Sequence, residues 1–199
     1  WMGLSGLCFI GVYVGVKLVG TRLPAAESAF LRYALGLVFL LPVLRGLLRE
    51  GLTWQVTKLG AGRAFLHTFA VTLWFYAMAR IPVAEVSAMG YLTPIFVTLG
   101  AVVILGERLA LRRGLAIVVA ILGVLVILRP GMREITPGHI AMLGTTLCFG
   151  VSYLIAKRLT DLASADMVVA LLSVGVTIGL IPLTIPVWIA PTSLEVGML

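Results

Sequence analysis

Seven long apolar segments, separated by short polar connections, dominate the pattern of this chain. Their approximate bounds are 2–19, 29–48, 62–80, 84–105, 112–128, 138–157 and 166–190. A helix needs roughly 20 mainly apolar residues to span a bilayer, because each residue adds about 1.5 Å. Segments shorter than this reach the interface when long basic side chains at their ends extend toward water. The pattern predicts an all-α polytopic membrane protein with about seven transmembrane helices.

The chain also repeats itself at an offset of 140 residues. The matching positions are Leu7-Cys8-Phe9 with Leu147-Cys148-Phe149, Tyr13 with Tyr153, Lys17 with Lys157, and Pro42 with Pro182. An odd number of crossings separates the copies, so the second copy starts from the opposite side of the membrane. Inverted repeats build transporters whose halves move around a central site. We predict a first five-helix repeat at 1–136 and the incomplete start of a second, inverted repeat at 137–199.

Composition agrees with a protein that lies in lipid. Hydrophobic residues make up 61% of the chain and charged residues 12%, and the mean hydropathy is +1.14. Soluble domains are about half apolar and a quarter charged. The net charge of +7 is spread over the connections, without the basic run that would indicate nucleic acid. The expected partners are the lipid bilayer and a small molecule, with a homodimer left open.

The distribution of Lys and Arg indicates the orientation. More of these residues lie near the second, fourth and sixth connections, including Arg63 and Lys157, than near the others. Loops that remain in the cytoplasm carry the excess of positive charge. We therefore predict a multi-pass protein of the inner cell membrane with a cytoplasmic N-terminus. Because the chain begins at Trp1 and ends on an apolar stretch, we expect it to be part of a longer protein.

Several short motifs resemble the drug/metabolite transporter superfamily, in particular its EamA-like branch. They are Phe9-Ile-Gly-Val-Tyr-Val-Gly-Val-Lys17, Phe149-Gly-Val-Ser-Tyr-Leu-Ile-Ala-Lys157, Phe30-Leu-Arg-Tyr33, Tyr91-Leu-Thr-Pro94, Leu105-Gly-Glu-Arg-Leu109 and Gly123-Val124. Each is weak alone, but together their order and spacing are specific. The resemblance implies a ten-helix, five-plus-five inverted bundle that moves small metabolites. By that measure the chain lacks the last three helices.

Two tyrosine–lysine pairs at matched repeat positions, Tyr13 with Lys17 and Tyr153 with Lys157, are candidates for a substrate pathway. A charged group at membrane depth costs at least about 2.5–3.5 kcal/mol, so it usually has a function or a route to water. Each tyrosine shares a helix face with its lysine. The alternative is that the lysines anchor helix ends and the tyrosines only pack.

Arg32 and Trp74 are further candidates for substrate binding. Arg32 could form a bidentate contact with an anionic group, or it could anchor its helix at the interface. Trp74 could stack on a planar or cationic group, or it could pack against lipid and helices. His67 lies seven residues before Trp74 on the same helix face, and we expect it to be a satisfied polar residue.

The fourth segment adds three candidates, Glu85, Tyr91 and Pro94. A carboxylate at Glu85 could carry a proton and couple transport to a proton gradient, or it could be an acid favoured by the helix dipole. Pro94 leaves the carbonyl of Gly90 without its usual donor. The resulting kink could serve a binding site formed by interrupted helices or could be purely structural.

Secondary transport of small organic metabolites by alternating access is the function that the sequence favours. An enzyme would need clustered catalytic groups, and the chain has 8 acidic residues and 2 histidines in all. No metal-ligand spacing, cofactor motif or phosphate-binding loop is present in the sequence. A seven-helix receptor or assembly module without transport activity is the alternative. Finally, Gly11-x-x-x-Gly15 and Gly175-x-x-x-Gly179 predict close helix approach.

Overall fold

The computed structural model describes residues 2–19, 22–106, 109–129 and 134–198. Within these ranges the chain forms helices α1 (Met2–Val19), α2 (Ala25–Glu50), α3 (Trp54–Arg80), α4 (Val83–Gly90), α5 (Leu92–Leu105), α6 (Leu111–Leu128), α7 (Pro137–Thr160), α8 (Ala165–Thr184) and α9 (Ser193–Met198). A 3-10 turn at Ile185–Val187 follows α8. This architecture confirms the predicted all-α class.

Five helical stretches of the described chain are long and apolar enough to cross a membrane. They are Ala25–Pro42, Val83–Ile104, Leu111–Leu128, Pro137–Thr160 and Ala165–Val187. This finding confirms the prediction of a polytopic helical membrane protein. Helices α1 and α3 occupy the other two predicted segments, and their crossing of the membrane stays a prediction.

Three polar residues define where helices begin. The Thr53 hydroxyl accepts the backbone N–H of Val56 and caps α3, and Ser164 caps α8 in the same way. Thr136 and His139 form a capping box at the start of α7. Each contact satisfies an N–H that the first turn of a helix leaves without an intrahelical acceptor.

Two predicted segment boundaries were wrong. The third helix begins at Trp54 rather than 62, because Thr53 caps a polar first section that hydropathy alone does not identify as helix. The last predicted segment runs to 190, but α8 ends at Thr184. Pro186 and Pro191 follow, and a proline has no N–H with which to continue the helix.

The fourth predicted segment is interrupted at Tyr91, which separates α4 from α5. Pro94 lies one turn later and has no N–H to donate to the carbonyl of Gly90. The predicted interruption is therefore present in the backbone. The surroundings of the interruption decide whether it could serve substrate binding or only bends the chain.

Helix α3 lies at the centre of the bundle, where α2, α7 and α8 pack against it. A Cβ on Gly138 would meet Ile81, and a Cβ on Gly144 would meet Leu73, so α7 runs antiparallel to α3. The buried core around α3 includes Phe75 and Met78. Because α2, α7 and α8 cover part of the surface of α3, the covered side tolerates polar residues that a lipid-facing side would exclude.

The ends of the helices show that α1 and α7 run in opposite directions. Val16 near the end of α1 and Arg80 at the end of α3 line the same cavity. Gly138 at the start of α7 lies beside Ile81, just after α3. The end of α1 and the start of α7 therefore lie at the same end of the bundle. An inverted repeat requires this arrangement, although the predicted division into 1–136 and 137–199 remains a prediction.

The segment after α8 folds back over the start of α2. The backbone N–H of Ile189 donates to the buried carboxylate of Glu27 at 3.0 Å. Trp188 packs edge-on against Phe30, and Arg22 forms an ion pair with Glu195 of α9. We call residues 185–198 the terminal strap, since they tie the end of α8 to the beginning of α2.

We expect the contact between the terminal strap and Arg22 to be insensitive to pH above about 5 and to weaken in stronger acid. The backbone N–H of Thr192, and then the Arg22 guanidinium, lower the pKa of Glu195 from 4.5 to about 2. A carboxyl group whose pKa falls on folding adds stability above its unfolded pKa, and that stability is lost as the pH falls through the folded value. Carbon-13 NMR of labelled glutamate in micelles measures the titration.

An Arg22→Ala variant provides the control for this titration. The pKa of Glu195 should move only part of the way back toward its ordinary value, because the Thr192 contacts remain. A wild-type Glu195 that titrated near 4.5 would contradict the ion pair.

Candidate functional site

A cavity of about 160 Å³ lies between α2, α3 and α7. It is lined by Arg32, Tyr33, His67, Val71, Trp74, Phe75, Phe149 and Tyr153. Trp74 lies six residues before the end of α3, and Tyr153 lies seven residues before the end of α7. Because these two helices are antiparallel, their ends lie on opposite sides of the bundle. The cavity, which we call the central cavity, therefore lies at the middle of the bundle's depth.

The spacing of the lining residues follows from helix geometry. Residues 67, 71 and 74 on α3, and residues 149 and 153 on α7, recur every three or four positions and so share one helix face. The rings of Phe149 and Tyr153 stack with centroids 6.0 Å apart, and the ring of His67 lies 4.7 Å from that of Phe149. The wall that results is aromatic, with polar groups at a few positions, a composition that is common in small-molecule sites.

His67 is held in place by a buried hydrogen bond. Its Nδ1 lies 3.0 Å from the Oγ of Ser152 on α7, and both residues are buried. The contact agrees with the expectation that His67 is a satisfied polar residue. It also fixes the ring beside Tyr33 and Tyr153, so the histidine is part of the cavity wall.

Arg32 and Tyr33 separate the central cavity from a second one. The second cavity has a volume of about 220 Å³ and is lined by Arg32, Tyr33, Gly36, Leu40 and Ser173. Both residues line both cavities. They therefore lie between the central cavity and a second space that opens to the surface of the bundle.

From the sequence, Arg63 was counted near the second connection, at the start of the predicted segment 62–80, and the structure places it deeper in the helix. It lies within α3 and is 7% exposed, and its Nη1 donates to the carbonyl of Val168 on α8 at 3.0 Å. The error arose because α3 begins earlier than predicted. The signal in the sequence was its position four residues before His67, on the helix face that carries Val71 and Trp74.

The structure brings three predicted site residues together, Arg32, Trp74 and Tyr153, and adds Tyr33, His67 and Phe149 beside them. The added residues were recognisable in part. Phe149 belongs to the repeated Leu-Cys-Phe triplet, and Tyr33 follows Arg32 in the chain. The role of these residues in substrate binding stays a prediction.

Other candidates lie elsewhere. Tyr91 and Pro94 face a groove between α5 and α6, and Tyr91 is 67% exposed, because the break in the helix turns toward the periphery of the bundle. Lys157 is exposed near the end of α7. These three residues do not line the central cavity. The side chains of Tyr13 and Lys17 fall outside the described residues.

Glu85 is buried at one end of the bundle, away from the central cavity. Its Oε2 lies 2.9 Å from Nε2 of His139 on α7. The Nδ1 of His139 accepts the backbone N–H of Thr136 at 3.0 Å, so a neutral imidazole carries its proton on Nε2 and donates it to Glu85. The carboxylate joins α4 to α7, which belong to different predicted repeats.

We expect His139→Ala to lower the free energy of unfolding by about 2 kcal/mol, because the buried Glu85 carboxylate loses a donor and α7 loses part of its cap. Thermal unfolding in detergent measures the change. Glu134→Ala, an exposed acid just before α7, is the control and should have little effect. Glu85→Gln and the double variant complete the cycle, and purely additive effects would contradict a direct contact.

Secondary transporters place their substrate sites near the mid-depth of a helical bundle, and the central cavity lies at that depth. The chain belongs to the EamA-like transporter family, whose model matches residues 1–129. This match confirms the resemblance that the sequence motifs indicated.

Several curated proteins are similar to this chain. The S-adenosylmethionine uptake transporter of Rickettsia prowazekii is 26% identical over 92% of the chain and 62% of its own length. The riboflavin transporter of Vibrio cholerae is 26% identical over 100% of the chain and 68% of its length. The pseudopaline exporter CntI of Pseudomonas aeruginosa is 31% identical over 64% of the chain and 44% of its length.

The chain thus spans about three fifths of the length of the first of these relatives. No solved structure matches the chain significantly.

Proposed function

We propose that the full-length protein is a secondary transporter that moves small organic metabolites across the membrane by alternating access. The observation that carries the proposal is the central cavity, where Arg32, Trp74 and Tyr153 line one space between α2, α3 and α7. Polar and charged groups are costly at this depth and usually mark a substrate pathway. Membership of a transporter family supports the same function.

The two predicted repeats would provide the moving parts. Residues from α2 and α3 of the first repeat and from α7 of the second form the cavity wall, so a relative movement of the two halves would change access to the cavity. Tyr13 and Lys17 of α1 remain candidate pathway residues by their match to Tyr153 and Lys157. A homodimer remains a prediction.

The proposed location is the inner cell membrane with a cytoplasmic N-terminus. Without Arg63, Lys and Arg are still more frequent near the connections assigned to the cytoplasm, where Arg112, Arg113 and Arg158 remain. Cysteine labelling from either side of intact cells tests the orientation. Positions near the start of α6 should react only after the membrane is made permeable.

Uptake into proteoliposomes tests the transport function directly. The full-length protein is reconstituted and offered radiolabelled riboflavin, S-adenosylmethionine and a set of amino acids and nucleosides, with empty liposomes as the control. We expect saturable, counterflow-stimulated uptake of at least one compound. A folded, correctly inserted protein that moves none of them, while recruiting a partner protein in response to a ligand, would favour the receptor alternative instead.

A further inference from the structure

Among the described residues, two arginines carry buried nitrogen atoms that lack a hydrogen-bond partner. They are Nη1 of Arg32 and Nε of Arg63. Within the described part of the chain, the ion pairs formed by carboxylates involve Arg22 and His139 and neither of these two arginines. A guanidinium remains charged in proteins, and a buried charge without a counter-charge is strongly destabilising. The site therefore has unused capacity to bind an anion.

The two arginines belong to one polar region. Arg32 lines both cavities, and Arg63 lies on α3 one helical turn before His67 of the cavity wall, on the same helix face. The bond from Arg63 Nη1 to the Val168 carbonyl anchors its guanidinium to α8. Arg32 is carried by α2, and the two cations are thus held on two different helices that wall the central cavity.

The groups that line the central cavity beside Arg32 include tyrosine hydroxyls, aromatic rings and the imidazole of His67. Tyr33 and Tyr153 supply hydroxyl groups, and Trp74, Phe149 and Tyr153 supply ring faces or edges to the same cavity. Guanidinium groups bind carboxylate and phosphate oxygens strongly, because the charge assists each hydrogen bond. Aromatic side chains favour a flat ring.

We propose that Arg32 and Arg63 bind the anionic oxygen group, a carboxylate or a phosphate, of a planar metabolite whose ring lies against Trp74 and Phe149. The proposal rests on the proposed transport function, since it names the class of substrate that the central cavity takes. The bound anion supplies the counter-charge that the described residues leave out. The aromatic wall then orients the ring.

Matched probe pairs test the proposal, with each pair differing by one anionic group. Flavin mononucleotide and riboflavin differ by a phosphate, and S-adenosylmethionine and its decarboxylated form differ by a carboxylate. Dissociation constants are measured on the full-length protein in nanodiscs. We expect the more anionic member of at least one pair to bind roughly 10- to 100-fold more tightly. The pair that discriminates identifies the anion as phosphate or carboxylate.

Arginine variants show which side chains cause the difference in affinity between the members of a pair. Arg32→Gln and Arg63→Gln should each remove most of the discrimination, whereas Arg158→Gln, an exposed arginine of α7, should retain it. Arg32 is only partly buried, so Arg32→Gln is expected to fold. If Arg63→Gln does not fold, Arg32→Gln alone decides the test. Discrimination that survives in both variants, or equal or absent binding of all four probes, would overturn the proposal.

Flux measurements with the same probes separate this proposal from the transport function. Charge-dependent binding without flux would support the arginine site and contradict the proposed transport function. Flux that favours the less anionic member of each pair would support the transport function and contradict the arginine site.

Discussion

Replacing Gly175 with leucine should separate α8 from α3 and lower the free energy of unfolding by about 3 kcal/mol, near the upper end of the usual cost of overpacking. A Cβ at this position would lie 2.5 Å from the Cβ of Ala64. One turn later, a Cβ on Gly179 would lie 2.6 Å from the Oγ1 of Thr68. The two helices approach so closely that neither position has room for a side chain.

Gly11 provides a matched control, because it begins the other Gly-x-x-x-Gly motif. A Cβ on Gly11 would meet nothing within 4 Å among the described residues. Gly11→Leu should leave stability unchanged or raise it slightly, since leucine has the higher helix propensity. Thermal unfolding of both variants in the same detergent compares them. Equal losses of stability would show that the α3–α8 approach is looser than described.

Trp74→Ala should reduce the transport efficiency, kcat/KM, by roughly 10-fold or more. The indole forms part of the wall of the central cavity, and its loss removes a large ring from contact with a bound substrate. Its edge-on contact with Phe75 would also be lost. Initial uptake rates in proteoliposomes, normalised to the amount of inserted protein, measure the effect.

Trp54 is the control for this substitution, because it lies on the same helix. It is the first residue of α3 and is 79% exposed. Trp54→Ala should leave kcat/KM unchanged, and Trp74→Phe should retain more activity than Trp74→Ala. A comparable loss in the Trp54 and Trp74 variants would mean that the effect arises from general destabilisation of α3, and the cavity would then lose its support as the substrate site.

The sequence predicted the helices well where they face lipid and less well where they face protein. Leu111–Leu128 is apolar on nearly all sides and coincides with its predicted segment within one residue. Helix α3 carries buried polar residues on the side that α7 and α8 cover and a polar first section, so hydropathy placed its start eight residues too late. Arg63 was consequently interpreted as a connection charge.

The sequence identified only part of the candidate site, because the pattern along the chain does not show which helix faces meet. Arg32, Trp74 and Tyr153 were identified because charged and aromatic residues stand out against an apolar background. Glu85 and Tyr91 stood out equally, yet one pairs with His139 at the end of the bundle and the other faces a peripheral groove. Composition identifies unusual residues, but it does not determine which of them face each other.

By itself, the sequence determined that this protein is helical, lies in lipid and carries motifs of a transporter family. These properties follow from hydropathy and the order of local motifs, which are readable along the chain. The tertiary structure decided which polar residues share the central cavity and which pair with each other elsewhere. That outcome depends on helix rotation and close approach, as at Gly175, and such contacts join residues distant in the chain.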